Sequence, residues 1–292
     1  LQRRGVIEVT DVPLSDDLFY KSDSSRQLAH FDRCQNAVRQ ALELLDHYAP
    51  EKKSMFSSLQ GKPELEQELA IHDFILEQVR YDKLKKPYSH EILGPMTQGV
   101  GVCEGIAKTV KALCDALGLW CIVALCEANP EKGICYRHTW NVVRLGGQYY
   151  HVDATFDNSL QRGAPRYDYL NLDDSHIFRD HEPLVLPIPA CTDAKSFYYR
   201  SCSFTRPEEL EKRLQQALRK KQPVFVFHWR GGGLNREILG ELLSIASRQA
   251  EQRGKTASCS VNMPQAVIQF SFTDAGASDI TIQQANEAEA PD

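Results

Sequence analysis

The sequence lacks the patterns that mark several common classes of protein. Its longest uninterrupted apolar run, Leu119 to Cys126, has eight residues, whereas a membrane-spanning helix needs roughly 20. It also lacks an excess of basic charge, because 34 Lys and Arg residues stand against 39 Asp and Glu residues, for a formal net charge of -5. We therefore expect neither a membrane span nor a nucleic-acid partner.

Metal-binding and disulfide patterns are missing as well. None of the nine cysteines falls in a CxxC pair and no HExxH occurs, so the sequence specifies no metal site and no cofactor. The cysteines are too few and too irregularly spaced for a disulfide framework in 292 residues. Unpaired thiols favour a reducing compartment such as the cytoplasm. The chain opens on Leu1 rather than Met, so we expect that an original N-terminus, with any leader, has been removed.

What is present is typical of a folded globular protein. Hydrophobic residues make up 42% of the chain and charged residues 25%, and the length suits one large domain or two modest ones. Proline and glycine spacing and changes of composition predict four parts. They are an N-terminal helical segment (1–62), a core (63–182), a small α/β unit (183–275) and a disordered tail (276–292).

Apolar residues recur at helical or strand spacing along most of the chain. In the first two parts, this predicts helices at 25–48, 63–80 and 103–117, followed by strands at 119–126, 138–145 and 148–155. A helix followed by an antiparallel sheet indicates an α+β fold. The C-terminal unit is predicted to contain a helix at 208–218, a strand at 223–229, a helix at 238–250 and a strand at 266–272.

Cys103 stands at the predicted start of a helix, directly after a glycine-rich approach. The unpaired N–H groups and the positive end of the helix dipole favour negative charge at that position. A thiol there loses its proton more easily than a free cysteine does. Residues 103, 106, 110, 113 and 117 share one helix face, so the sulfur is expected to point toward the sheet on which the helix packs.

The sheet offers a base and a residue to orient it. If Gly146 and Gly147 form a tight turn, Leu145 pairs with Gln148, and the same register places His138 opposite Thr155. Asp153 is then the diagonal neighbour of His138 on the same face, within roughly 7–8 Å. A nucleophilic cysteine needs such a base and such an orienting group.

Three blocks of the sequence resemble the transglutaminase-like superfamily, a branch of the papain-like cysteine enzymes. The blocks are Gly-Val-Cys-Glu-Gly at 101–105, His-Thr-Trp-Asn-Val-Val at 138–143 and Tyr-Tyr-His-Val-Asp-Ala-Thr-Phe-Asp at 149–157. The resemblance implies that Cys103 is the nucleophile, His138 the general base and Asp153 the residue that orients the imidazole. It covers about residues 71–180 and suggests a compact bacterial member, and no EF-hand spacing supports calcium activation.

Several other residues are alternatives or additions to this set. His151 is a rival for the base and Asp157 for the acid, although turn-forming aspartate is common where Asp157 lies. Gln98 could donate an N–H to an oxyanion hole. Trp140 and Tyr149 could line a substrate groove, although aromatic residues on a sheet are more often part of the core. The remaining loop histidines, which are His90, His176 and His181, are expected at the surface.

Two functions follow from the sequence. The first is an enzyme in which Cys103 attacks an amide or peptide bond of a protein or peptide substrate and forms a thioester, which water or a second amine then resolves. The second is a catalytically silent module of the same fold that binds peptides or acts as a scaffold. The reactivity of the Cys103 thiol distinguishes them, since only the enzyme needs an activated thiolate.

Overall fold

The computed structural model of the protein describes residues 50–127, 137–182 and 188–274, together with residues 39, 40, 43, 44, 46, 47, 131 and 282–284. Most of the predicted helix at 25–48 lies outside the described residues, and its few described residues are helical. Most of the predicted disordered tail at 276–292 also lies outside them. Within that tail, Ile282–Gln284 form a short strand.

The chain folds into two compact units. The first comprises residues 1–159, 169–194 and 291–292, and the second comprises residues 160–168 and 195–290. The chain thus enters the second unit, returns to the first and leaves it again. The segment 160–168 lies inside the range 63–182 assigned to the core from sequence, and the four-part division itself stays a prediction.

The first unit combines helices with an antiparallel sheet of four strands, in the order β3-β4-β5-β6. This arrangement confirms the predicted α+β class, with a cysteine-bearing helix packed on the sheet. The helices are α1 (Pro50–Ser58), α2 (Glu64–Gln78), α3 (Cys103–Leu117), α4 (Ala154–Leu160) and α5 (Asp174–Ile177). The strands are β1 (Arg80–Tyr81), β2 (Val100–Gly101), β3 (Cys121–Cys126), β4 (His138–Leu145), β5 (Gln148–Val152) and β6 (Leu170–Leu172).

The β4–β5 hairpin follows the predicted register over most of its length. Leu145 pairs with Gln148 across Gly146 and Gly147, whose φ angles of 56° and 79° suit a tight hairpin turn. The pairing ends at Val152, because the chain then turns into α4. The predicted strand at 148–155 is therefore three residues too long, and His138 pairs with Cys126 on β3 rather than with Thr155.

Close packing fixes the start of α3. The Val102 N–H donates to the Ser89 carbonyl oxygen at 3.0 Å. Gly105 lies so near the same carbonyl that a Cβ atom would come within 2.1 Å of its oxygen. Farther along α3, the Asn141 side chain of β4 donates to the Ala107 carbonyl oxygen at 3.0 Å. These contacts hold the N-terminus of the helix in place over one end of the sheet.

The second unit has a sheet ordered β11-β9-β10-β8-β7 and two helices. Its elements are β7 (Ser203–Phe204), α6 (Pro207–Arg219), β8 (Val224–Trp229), α7 (Arg236–Glu251), β9 (Lys255–Asn262), β10 (Val267–Asp274) and β11 (Ile282–Gln284). An apolar core that includes Leu210, Phe227, Leu242 and Phe270 lies between helices and sheet. Among the described residues, no helix has the length and apolar character needed to cross a membrane.

Candidate active site

Cys103 is the first residue of α3, and its side chain is partly accessible. The first N–H groups of the helix have no acceptor within the helix, which favours negative charge beside them. Burial raises the pKa of the Cys103 thiol, but a hydrogen bond with His138, the charge of that imidazole and hydrogen bonds from Thr139 lower it more. As a result, the pKa of the Cys103 thiol lies below that of an ordinary cysteine, and its thiolate forms more readily.

The loop before Cys103 is organised by one carboxylate. Asp82 accepts hydrogen bonds from the N–H groups of Leu84 and Lys86, each at 3.0 Å, and from the Ser89 hydroxyl at 2.5 Å. The Ser89 carbonyl oxygen in turn accepts from the Val102 N–H, directly before the cysteine. Asp82 therefore helps to position Cys103 through the hydrogen bonds from Ser89 to Asp82 and from Val102 to Ser89.

His138 opens strand β4 and is almost completely buried. Its Nε2 atom lies 2.5 Å from Asp153 Oδ2. Because that nitrogen faces Asp153, Nδ1 is the ring nitrogen left for the interaction with the Cys103 sulfur. Burial lowers the pKa of His138, but the charge and hydrogen bond of Asp153 and the contact with Cys103 raise it well above its ordinary value. Cys103 and His138 therefore shift each other toward the charged forms, thiolate and imidazolium.

Asp153 occupies the point where β5 ends and α4 begins. Its Oδ1 atom accepts hydrogen bonds from the N–H groups of Thr155 and Phe156, each at 2.9 Å, as an N-cap residue does. Its Oδ2 atom faces His138. Burial alone would raise the pKa of this carboxyl. His138 and His181 lower it by more than burial raises it, so the pKa lies well below its usual range. The carboxylate is ionised at neutral pH, and it lies just beyond the strand from which it was expected to project.

The sequence of this region matches a known family. Residues 54–154, which include all three of these side chains, match the family model of the transglutaminase-like superfamily. This segment of the chain is therefore similar to that superfamily. It contains the cysteine at the N-terminus of α3, the histidine at the start of β4 and the aspartate directly after β5.

Three solved structures also show local similarity to the chain. A candidate cysteine protease from Cytophaga hutchinsonii is 26% identical over 35% of this chain and 36% of its own, with a TM-score of 0.30. A structure named a TGase is 13% identical over 47% of this chain and 34% of its own, with a TM-score of 0.30. A candidate protease from Parabacteroides distasonis is 16% identical over 45% of this chain and 27% of its own, with a TM-score of 0.26.

The chain therefore matches only about a third of the length of these proteins. No curated protein gives a significant match.

The two rivals for the base and the acid have other partners in the transglutaminase-like core. His151 is fully buried, with Nε2 facing Asp174 Oδ1 at 2.8 Å and Nδ1 accepting from the Trp140 indole at 3.0 Å. Asp157 Oδ2 lies 3.0 Å from Nε2 of His72. The structure thus brings His138 and Asp153, and not these rivals, to Cys103.

Gln98, Trp140 and Tyr149 do not occupy the positions considered for them. The Gln98 side chain is exposed and its amide donates to Thr97 Oγ1 at 3.3 Å. Trp140 is 1% exposed and stacks on His138, with ring centroids 6.0 Å apart, so it belongs to the core. Tyr149 packs edge-on against Trp120 near the hairpin turn, far along β5 from the cysteine.

His181 is the residue that the sequence analysis missed. The expectation that it lies at the surface is wrong, because only 4% of it is exposed. Its Nε2 atom lies 2.9 Å from Asp153 Oδ2, the oxygen that also faces His138. No helical or strand periodicity marked it, since it follows a short helix in an irregular connection. Of the other two loop histidines, His90 faces Glu104 and His176 faces Asp173.

Two clusters in the described part of the core have the composition of a metal site. One consists of His138, Asp153 and His181, and the other of His151, Asp174 and Cys191. In the second, the Trp140 indole can only donate, so His151 Nδ1 accepts and Nε2 carries the proton.

In the first cluster, both Nε2 atoms face the same carboxylate oxygen at hydrogen-bond distance. Hydrogen bonds to carboxylates thus account for the Nε2 atoms of His138, His151 and His181.

Proposed function

We propose that the transglutaminase-like core is a cysteine-dependent enzyme of acyl transfer that acts on amide or peptide bonds. The observation that carries the proposal is the convergence of three side chains from separate elements. Cys103 lies at a helix N-terminus, His138 interacts with its sulfur, and Asp153 holds the imidazole through Nε2. Sulfur, base and orienting carboxylate in this order are the arrangement that nucleophilic catalysis by cysteine requires.

The first half of the reaction forms a thioester. The Cys103 thiolate attacks the carbonyl carbon of the substrate, and N–H groups of the first helical turn stabilise the negative charge that develops on the carbonyl oxygen. The carbon–nitrogen bond then breaks, while the His138 imidazolium gives its proton to the departing amine. The acyl group remains on sulfur, and His138 is left neutral.

The second half releases the acyl group. Water or a second amine gives a proton to His138 and attacks the thioester, and the thiolate leaves as the imidazolium forms again. Water makes the enzyme a protease or amidase, and an amine makes it a transglutaminase. We favour hydrolysis, on protein or peptide substrates. The runner-up is the silent peptide-binding module.

A screen of peptides with and without amine donors tests the proposal. The wild type should release a shortened or deamidated peptide, or incorporate the amine, and the Cys103→Ala variant should do neither. A thioester trapped from the wild type with hydroxylamine as the hydroxamate would identify the intermediate. Equal turnover by wild type and Cys103→Ala would contradict the proposal. Binding of peptides without any turnover would favour the silent module.

A further inference from the structure

The Asp153 carboxylate is shared by two imidazoles. Its Oδ2 atom lies 2.5 Å from His138 Nε2 and 2.9 Å from His181 Nε2. His181 faces a second carboxylate on its other side, with Nδ1 2.8 Å from Asp180 Oδ1. The Tyr169 hydroxyl donates to the remaining oxygen of Asp180, Oδ2, at 2.5 Å. A continuous row of polar groups therefore runs from the cysteine to Tyr169.

The position between two carboxylates favours the cationic form of His181. A neutral imidazole has one nitrogen without a proton, and here that lone pair would point at an anionic oxygen. Protonation of both nitrogens gives each carboxylate a donor. Burial lowers the pKa of His181, but the hydrogen bonds and charges of Asp153 and Asp180 raise it above its ordinary value. The two carboxylates thus favour the presence of the second proton on His181.

We propose that His181 is a positioning residue of the active site, a buried imidazolium that anchors the Asp153 carboxylate and limits how tightly His138 holds its proton. The proposal deepens the function proposed above and rests on it. His181 touches neither the sulfur nor the reacting bond, so its action passes through Asp153.

The consequence for His138 is electrostatic. Thiolate, His138, Asp153, His181 and Asp180 carry charges that alternate in sign along the row. The rings of His138 and His181 lie 5.4 Å apart, centroid to centroid. A positive charge at that distance offsets part of the attraction of Asp153 for the His138 proton. General acid catalysis needs that proton to be released to the departing amine, and an imidazolium held by an uncompensated buried carboxylate releases it more slowly.

The other titratable groups around the row do not reverse this effect. Burial lowers the pKa of His72 to about 4 and lowers that of His151, so both are neutral at pH 7. Burial also raises the pKa of the Cys126 thiol, which leaves it uncharged. Tyr169 acts as a hydrogen-bond donor to Asp180. Of these groups, none adds a positive charge beside His138 at neutral pH.

Titration of the histidine rings by ¹⁵N NMR tests the proposal without any substrate. In the wild type, both ring nitrogens of His181 should be protonated at pH 7. In His181→Gln, which can still donate a hydrogen bond but carries no charge, the midpoint of His138 should rise by about one pH unit or more. Asp180→Asn weakens the hold on the His181 proton and should move the midpoint in the same direction by less.

His176→Gln is the matched control, because it removes a histidine that pairs with a different aspartate, Asp173. It should leave the His138 midpoint unchanged. A neutral His181 at pH 7, or a His138 midpoint that stays or falls in His181→Gln, would overturn the proposal. If His181→Gln does not fold, an unmoved midpoint in Asp180→Asn overturns it instead. An unreactive wild-type Cys103 counts against the proposed function, whereas an unmoved His138 midpoint counts against the role of His181.

Discussion

At the scale of single residues, the site is built from groups whose protonation depends on their neighbours. Cys103 and His138 lie in different elements, and each shifts the pKa of the other toward the charged form. The sequence motifs predicted these two residues and Asp153 together, because motif blocks preserve residue types at fixed spacing. They could not predict His181, since its approach to Asp153 depends on how an irregular segment folds back over the sheet.

A buried carboxyl outside the site allows a test of the packing of α2. Glu68 Oε2 accepts a hydrogen bond from the Asn171 amide at 2.8 Å, and Oε1 has no hydrogen-bond partner among the described residues. Burial raises the pKa of Glu68 to about 8, although Asn171 lowers it. The carboxyl is therefore neutral in the folded state at pH 7, whereas in the unfolded chain it is ionised.

Glu68→Gln should accordingly stabilise the protein at neutral pH. As the pH rises from about 4.5 to about 8, the unfolded wild type loses the Glu68 proton and the folded state keeps it, so the wild type loses stability over that window. The glutamine does not titrate. We expect the variant to gain about 3 kcal/mol of unfolding free energy at pH 7 and almost none at pH 4.5. Urea denaturation at both pH values measures this, and an equal effect at both would contradict it.

At the scale of elements, local sequence signals located the parts that carry the site. Helix 103–117 and strand 138–145 have the predicted bounds, because strong apolar periodicity and glycine ends define them. The strand predicted at 148–155 ends at Val152. The side chain of Asp153 caps the following helix, and this local competition between strand and helix cannot be read from alternation alone.

The close approach of α3 to the preceding loop gives a prediction at the same scale. Gly105→Ala would place a Cβ 2.1 Å from the Ser89 carbonyl oxygen, which is backbone and cannot rotate away. The start of the helix must then shift, at a cost of about 1–3 kcal/mol. Because Cys103 is two residues away, its thiol should also lose reactivity. Thermal denaturation and alkylation of Cys103 measure both effects.

Gly240→Ala is the control for this variant, since nothing lies within 4 Å of a Cβ built at that helical glycine. It should leave the reactivity of Cys103 unchanged. A Gly105→Ala variant with wild-type stability and reactivity would show that the contact with Ser89 does not position the helix.

At the scale of the whole molecule, the chain enters the second unit twice, at residue 160 and at residue 195. Residues 160–168 belong to the second unit, although most of that unit lies after residue 194. Within it, the Arg166 guanidinium binds both oxygens of Asp168, and Asn262 of β9 donates to Asp168 Oδ2 at 3.0 Å. Proline spacing alone could not predict this exchange, because the segment is assigned by contacts that are distant in sequence.

The buried Arg166–Asp168 ion pair should contribute to the stability of the second unit. Arg166→Met leaves Asp168 buried without its cation, so we expect a loss of about 3–5 kcal/mol of unfolding free energy. The double variant Arg166→Met/Asp168→Leu should recover a large part of it, because no charge is then left unpaired. Removal of the exposed Arg206–Glu209 pair by Arg206→Ala should change little. A single variant as stable as the wild type would contradict this account.

The proposed function depends most directly on an activated sulfur at residue 103. The decisive measurement is the rate of alkylation of each cysteine by iodoacetamide from pH 5.5 to 9, resolved by mass spectrometry. Cys202 is the internal reference, since it is also partly accessible but burial raises its thiol pKa.

At pH 6, Cys103 should react at least about tenfold faster than Cys202, and His138→Ala should remove that advantage. Reaction of Cys103 at pH 6 no faster than that of Cys202 would contradict the account.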